Sequence, residues 1–139
     1  MTSSRPHSAP HHRTRKDHST ETAEDYVEAI AEIIDEKKVC RVTDLTDRFG
    51  VTHVTVSRIV KRLQQEGWLE TRPYYPIDLT PKGRRLALES KQRHQIVYDF
   101  LIAFGLDAQT AAIDSEGIEH HVSKKTLDLM KAFVEKKNG

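Results

Sequence analysis

The 139-residue sequence predicts a mainly α-helical protein in which one short β-hairpin interrupts a series of helices. Three observations predict this fold class. Apolar residues recur at helical spacing in several segments, and polar capping residues or glycines separate these segments. Two short apolar runs within residues 68–79 flank a proline-bounded turn, which is the pattern of a hairpin. Hydrophobic residues form 37% of the chain, which is enough for a core.

The chain begins with a segment for which no packed structure is predicted. Residues 1–20 contain Ser, Pro, His and Arg but almost no large apolar residue, so we expect a disordered, basic, histidine-containing tail. Its four histidines have no spacing that fixes a metal geometry, and we interpret them as solvated rather than as ligands. A basic arm that contacts a nucleic-acid backbone is the other interpretation.

The first helix is predicted to begin near Thr22, because Thr22 and Asp25 resemble a capping box. It should end near residues 37–38, where two lysines suit the negative end of the helix dipole. The residues at helical spacing that mark its buried face are Tyr26, Val27, Ile30, Ile33 and Ile34.

Two further helices follow a short extended link at residues 39–42. Thr43 is predicted to cap a short helix that stops at Gly50, and Thr52 to cap a longer one that stops at Gly67. Apolar residues of the longer helix recur at positions 56, 59, 60 and 63, which defines a core face.

The hairpin and three more helices complete the chain. Residues 68–72 and 77–79 are predicted strands around a turn at 73–76. Thr80 followed by Pro81 predicts a long helix as far as residue 104, and a short helix is expected at residues 108–115. Ser123 should cap the last helix. The predicted domains are residues 21–85 and 86–139.

Two helices joined by a three-residue turn and followed at once by a hairpin form a winged helix-turn-helix pattern. Residues 41–85 hold nine basic and five acidic side chains, a net charge of +4, which favours DNA as a partner over a solvated basic face. Lys61, Arg62 and Arg72 are expected nearer phosphates. The residues expected to reach base edges are His53, Val54, Thr55, Ser57 and Arg58.

Composition also restricts the cellular setting. No apolar run approaches the length of a bilayer span, and the N-terminus has no apolar signal region. The single cysteine, Cys40, excludes an intrachain disulfide framework and is interpreted as a small, partly buried apolar residue. We therefore expect a cytoplasmic protein.

A second constellation has metal-ligand chemistry. Glu116, Glu119 and His120 have helical i, i+3, i+4 spacing, and Asp25 and Glu28 share the i, i+3 relation on the first helix, within residues 21–40 of net charge −5. Taken singly, each has an ordinary alternative. The acids could stabilise a helix N-terminus, His94 could be a core histidine, and residues 116–121 could be a solvated face.

The chain resembles the DtxR/MntR family of metalloregulators over residues 21–135. The resemblance lies in DYVE at residues 25–28, the helix-turn-helix, LTPKG at 79–83, RH at 93–94 and EGIEHH at 116–121. It implies a homodimer, a palindromic DNA operator, up to two neighbouring metal ions per subunit, and a C-terminal helical domain for metal binding and dimerisation. The metal ligands that the resemblance implies are Asp25, Glu28, His94, Glu116, Glu119 and His120.

Within this family the sequence is more similar to manganese-responsive than to iron-responsive members. Iron-type relatives have Met and Cys where this chain has Asp25 and Glu119, and oxygen and imidazole ligands suit Mn²⁺. Iron-type relatives also carry an SH3-like domain, for which we expect no room before Gly139. The resemblance implies a repressor of manganese-uptake genes. An iron-responsive regulator, a di-metal hydrolase and a winged-helix sensor of an organic ligand are the alternatives.

Overall fold

A computed structural model describes the backbone of residues 9–139 and their side chains from Thr20 onward. It confirms a mainly helical fold with one two-stranded hairpin. The elements are α1 (Ala9–Lys37), α2 (Val42–Phe49), α3 (His53–Gln65), β1 (Leu69–Glu70), β2 (Asp78–Leu79), α4 (Pro81–Phe104), α5 (Ala108–Ile118) and α6 (Lys124–Asn138).

Helix α1 begins earlier than the sequence predicts. It starts at Ala9, so the segment from there to Thr20 is helical and not a disordered tail. Thr22 and Asp25 lie inside the helix and form no N-terminal capping box. Extending a helix that is already packed gains one hydrogen bond per residue without a new nucleation step, and Pro10 falls in the first turn, where its missing N–H is harmless. Residues 1–8 of the predicted tail lie outside the described residues.

The helix-turn-helix is built by local capping. The N-cap of α2 is Arg41 rather than Thr43, because the Arg41 backbone N–H donates to Asp44 Oδ2 at 2.8 Å. Helix α2 ends at Gly50 with a φ of 64°, a left-handed conformation that glycine adopts without strain. The Thr52 hydroxyl caps α3, as predicted, by accepting from the Thr55 N–H.

The hairpin is shorter than predicted. Leu69 pairs with Leu79 and Glu70 with Asp78, and beyond them the Thr71 N–H bonds to the Gln64 side chain of α3 instead of to a strand. An isolated bridge between Cys40 and Ile77 joins the α1–α2 link to the outer edge of the hairpin.

Helices α4 and α6 begin at predicted caps, and α5 is longer than expected. Thr80 and Ser123 accept backbone hydrogen bonds at the starts of α4 and α6, and Asp107 does so for α5. Because α5 continues to Ile118, Glu116 is helical, Glu119 is the C-cap residue and His120 lies in the following turn. Helical spacing therefore holds for Glu116 and Glu119 but not for the whole EGIEHH segment.

Two hydrophobic clusters form the interior among the residues whose side chains are described. The first joins α1, α2, α3, the hairpin and the start of α4, and includes a stacked pair of Tyr26 and Phe49 rings. The second lies among α4, α5 and α6 around Val97, Leu101 and Ala111. Helix α4 contributes to both and packs along α1. No helix in the described part of the chain is long and apolar enough to cross a membrane.

Candidate metal centre and DNA-binding surface

The six predicted metal ligands lie close together between α1, α4 and the end of α5. Asp25 and Glu28 come from α1, which belongs to the first cluster, whereas His94 comes from α4 and the other three from the end of α5 and the turn after it. A cavity of about 410 Å³ lies between these helices, and its lining includes Asp25, Glu28, His94 and Glu116. The sequence alone could not place these three segments together.

Short approaches connect the remaining ligands to this cavity. His120 Nε2 lies 3.0 Å from Asp25 Oδ1 and 3.3 Å from Glu119 Oε1. His94 Nδ1 lies 2.7 Å from Glu119 Oε2. Glu119 is only 2% exposed, so its carboxylate is held among imidazoles and acids and away from water. The Ser90 hydroxyl of α4 donates a hydrogen bond to Glu28 Oε2 at 2.8 Å.

Two atoms of this group are buried without a hydrogen-bond partner. They are Glu119 Oε2 and His120 Nε2, whose close neighbours do not meet hydrogen-bond geometry. Leaving buried polar atoms unpaired costs free energy, of order 1–3 kcal/mol each. A divalent cation bound by carboxylate oxygens and imidazole nitrogens would satisfy both atoms, so the residues present fit a hard or borderline metal ion.

The site holds protons tightly without metal. Burial raises the pKa of Glu119 to about 7, although the charges of His94 and His120 oppose the shift. Burial lowers the pKa of His120, but the Asp25 and Glu24 carboxylates beside its two ring nitrogens outweigh this effect and raise the pKa to about 10. Burial also raises the pKa of Glu28, while the Ser90 hydrogen bond lowers it. At neutral pH the His120 imidazole is therefore protonated, and a metal ion that binds it would have to displace a proton.

Sequence reasoning missed several residues around this centre. Glu24 is buried and contacts both His120 and Arg93, and Glu21 lies with Asp25 and His120 in a group whose ligand atoms are all within 4.8 Å of one another. The i, i+4 spacing of Glu21 and Asp25 could have indicated that Glu21 lies beside the proposed ligands. Nothing in the sequence indicated that Glu24 would be buried.

The predicted DNA-reading face lies on α3, and most of it is free to contact a partner. His53, Val54, Ser57, Arg58 and Lys61 are exposed, and Val54 is 68% exposed despite being apolar. Thr55 is half-buried, and its hydroxyl lies 3.0 Å from that of the capping Thr52.

Arg62 and Arg72, both predicted to contact phosphates, have different surroundings. Arg62 is half-buried, two of its guanidinium nitrogens are buried without a hydrogen-bond partner, and Nε lies 3.6 Å from Glu66 Oε2, so its charge is partly directed inward. Arg72 is exposed on the hairpin and stacks over Tyr75, with 4.3 Å from its guanidinium carbon to the ring centroid. Tyr74 at the hairpin tip is fully exposed and was not singled out from the sequence.

Comparison with known proteins identifies the family of the chain. Residues 18–76 match the family described as "Iron dependent repressor, N-terminal DNA binding domain", and residues 80–138 match "Iron dependent repressor, metal binding and dimerisation domain". The chain belongs to the iron-dependent repressor family. The resemblance to the DtxR/MntR regulators is thereby confirmed. The two matched ranges separate between residues 76 and 80, whereas the boundary at residue 85 stays a prediction.

Individual members of the family are similar over most of the chain. The transcriptional regulator MntR of Salmonella typhimurium is 42% identical over 123 residues, which cover 88% of this chain and 78% of that protein. The HTH-type transcriptional regulator MntR of Lysinibacillus sphaericus is 34% identical, with 84% of each chain covered. A solved manganese-dependent transcriptional repressor in complex with manganese is 26% identical, with a TM-score of 0.68, and the match covers 81% of this chain and 52% of that one.

Family membership decides whether the protein is a regulator or an enzyme. The chain has a DNA-binding domain and a metal-binding and dimerisation domain, and it is a transcriptional regulator rather than an enzyme. The di-metal hydrolase interpretation of the clustered acids and histidines is therefore wrong.

Proposed function

We propose that the protein is a manganese-responsive repressor that binds a palindromic operator as a homodimer in the cytoplasm and controls genes of manganese uptake. The observation that carries the proposal is the sulfur-free group of four carboxylates and two imidazoles at the junction of the two domains, with Glu119 Oε2 and His120 Nε2 buried and unpaired. MntR regulators are among the most similar relatives, and a neighbouring structure is that of a manganese-dependent repressor.

The proposed ligands each have a defined place. Asp25 and Glu28 would hold the metal from α1, His94 from α4, and Glu116, Glu119 and His120 from the end of α5. When bound, a divalent cation supplies positive charge that compensates the crowded carboxylates. Six such residues are enough for one ion or for two neighbouring ions that share carboxylates, and we propose two per subunit, with no organic cofactor.

The position of these ligands supports a coupling to DNA. Asp25 and Glu28 lie on a helix that shares the first hydrophobic cluster with α2, α3 and the hairpin, whereas His94, Glu119 and His120 belong to the region matched as the metal-binding and dimerisation domain. A divalent cation would compensate the charge of the acids that both domains contribute. Ligands from both domains thus favour one domain arrangement, and an effector stabilises an arrangement only through its greater affinity for it.

The exposed face of α3 would read the operator. Arg58, Ser57 and His53 carry hydrogen-bonding groups suited to base edges, and Val54 offers an apolar contact for a thymine methyl group. Lys61 on α3 and Arg72 on the hairpin would contact phosphates, which contributes affinity without sequence preference. Arg62 and Thr55 are less accessible members of the proposed set.

Oxygen donors support manganese over iron. Asp25 and Glu119 stand where iron-responsive relatives have sulfur ligands, and manganese gains little from sulfur. An iron-responsive regulator is the second candidate, since the matched family is described as iron-dependent.

The test is operator binding under controlled metal. Purified protein is mixed with DNA from its own upstream region and from manganese-uptake promoters, and Mn²⁺ and Fe²⁺ are titrated separately under anaerobic, metal-buffered conditions. We expect Mn²⁺ to promote a shifted complex that vanishes with chelator. Activation by Fe²⁺ alone would favour the iron-responsive alternative, and equal binding in chelator would refute metal control.

A further inference from the structure

Glu24 is a buried acid in the metal-centre region that none of the proposed ligand roles explains. It is 4% exposed and does not line the cavity that Asp25, Glu28, His94 and Glu116 share. A buried carboxylate is costly unless it is paired and hydrogen-bonded. Its partners should therefore reveal what it does.

The Glu24 carboxylate bridges two residues from the other domain. Its Oε2 lies 2.6 Å from His120 Nδ1 and 3.2 Å from an Arg93 guanidinium nitrogen. The imidazole of His120 is 1% exposed, so this short contact is shielded from water. Arg93 supplies the positive charge that a buried carboxylate requires.

Glu24 and Asp25, which are consecutive in α1, lie beside the two different nitrogens of the His120 imidazole ring. Glu24 takes Nδ1, while Asp25 Oδ1 lies 3.0 Å from Nε2, the atom that is buried without a hydrogen-bond partner. A neutral imidazole carries a proton on one nitrogen and a lone pair on the other. A hydrogen bond donated from Nδ1 to Glu24 leaves the lone pair on Nε2, which faces Asp25 and Glu119.

We propose that Glu24, held by Arg93, is a positioning residue that fixes the tautomer and orientation of His120 so that Nε2 is its metal-binding nitrogen. The inference rests on the proposed function, because it presumes that His120 binds the regulatory metal. It adds that Glu24 sets metal affinity without being a ligand. Outer carboxylates of this kind change metal affinity by about 10–100-fold when they are mutated.

The first test reads the ring directly in the unmodified protein. Zn²⁺ is used because it is diamagnetic, and nitrogen NMR of the His120 imidazole assigns the metal-bound and the protonated nitrogen. We expect metal on Nε2 and a proton on Nδ1. Zn²⁺ on Nδ1 would overturn the proposal, and this experiment does not depend on whether any variant folds.

The second test separates positioning from simple pairing with Arg93. Isothermal titration measures Mn²⁺ affinity for the wild type, Glu24→Gln, Arg93→Gln and the control Glu36→Gln, which removes an exposed carboxylate from the same helix. We expect Glu24→Gln to weaken Mn²⁺ binding about tenfold or more, Arg93→Gln to weaken it less because the Glu24–His120 contact remains, and Glu36→Gln to change nothing.

The results of these titrations test the positioning role of Glu24 separately from the proposed manganese-responsive function. Failure of the wild type to bind Mn²⁺ would refute the proposed function. Normal wild-type binding with equal losses in Glu24→Gln and Arg93→Gln, or with no loss in Glu24→Gln, would overturn only the positioning role. Thermal melting of the metal-free variants shows whether the titrated protein is folded.

Discussion

Metal binding should release protons, and their number follows from two pKa values. His120, with a pKa of about 10, is fully protonated at pH 7, and Glu119, with a pKa of about 7, is half protonated. A ligand must lose its proton before it binds a metal, so we expect metal binding to displace about 1.5 protons per subunit at pH 7. At about pH 8.5 Glu119 is already ionised, and the number should fall to about 1.

The assay is calorimetric titration of Mn²⁺ in several buffers of the same pH but different ionisation enthalpies. The slope of observed heat against buffer enthalpy gives the protons released. A matched control is His53→Gln, which removes an exposed histidine of α3 and should leave the number unchanged. Release near zero at pH 7 would show that His120 is not a protonated residue displaced by metal, and the proposed ligand set would fail.

The same pKa values set the pH dependence of the metal-free fold. Both groups have folded pKa values above their ordinary ones, so each stabilises the fold at low pH and loses that contribution as pH rises. For Glu119 the loss occurs between 4.5 and about 7, and for His120 between 6.5 and about 10. Metal-free protein should therefore melt at progressively lower temperature as pH rises through these windows, and saturating Mn²⁺ should reduce the loss.

Four substitutions test other parts of the proposal and the packing of the fold. Arg58→Ala should weaken specific operator binding by about 1–3 kcal/mol while Mn²⁺ affinity is kept, whereas Lys61→Ala should weaken binding to all sequences alike and flatten its salt dependence, as measured by fluorescence anisotropy. Asp25→Met should weaken activation by Mn²⁺ and broaden it toward Fe²⁺ and Co²⁺, because a soft thioether replaces a hard oxygen. Gly83→Ala should destabilise the fold by about 1–3 kcal/mol in denaturant titration, since its Cβ would lie 1.9 Å from the carbonyl oxygen of Trp68.

Three of these substitutions have a clear contrary result. Unchanged specificity in a folded Arg58→Ala protein would exclude that residue as a base contact. An unaltered order of metal activation in Asp25→Met would refute the selectivity argument without refuting metal control. Wild-type stability in Gly83→Ala would mean that the hairpin can move away from the start of α4 at little cost.

The sequence predicted the elements well where a local signal marks their ends. Thr52, Thr80 and Ser123 cap helices as expected, and Gly50 and Gly105 end them, because a hydroxyl or a missing Cβ acts on neighbouring backbone. The start of α1 has no such signal. Helix extension from a packed segment depends on tertiary stability, so a polar composition suggested disorder where the chain is helical.

The candidate metal centre was predictable in its residue types but not in the contacts between them. Spacing singled out the acids and His120 without deciding their role, and the family resemblance implied the full ligand set with His94, yet only the packing of α1 against α4 brings these residues together. Burial of Glu24 beside Arg93 depends on contacts between residues 69 positions apart. Similarly, Arg62 has the spacing of an outward basic residue, but its guanidinium is partly enclosed near Glu66.

The burial of Cys40 has a consequence for how the protein behaves under oxidative stress. Its side chain is fully buried, and burial raises the pKa of the thiol to about 12, so the reactive thiolate is scarce at neutral pH. It is the only cysteine in the chain, and the proposed ligands contain no sulfur. Peroxide therefore finds neither a thiol to convert to sulfenic acid nor a sulfur ligand to strip from the metal, and the protein should keep reporting metal supply while thiol-based sensors are being oxidised.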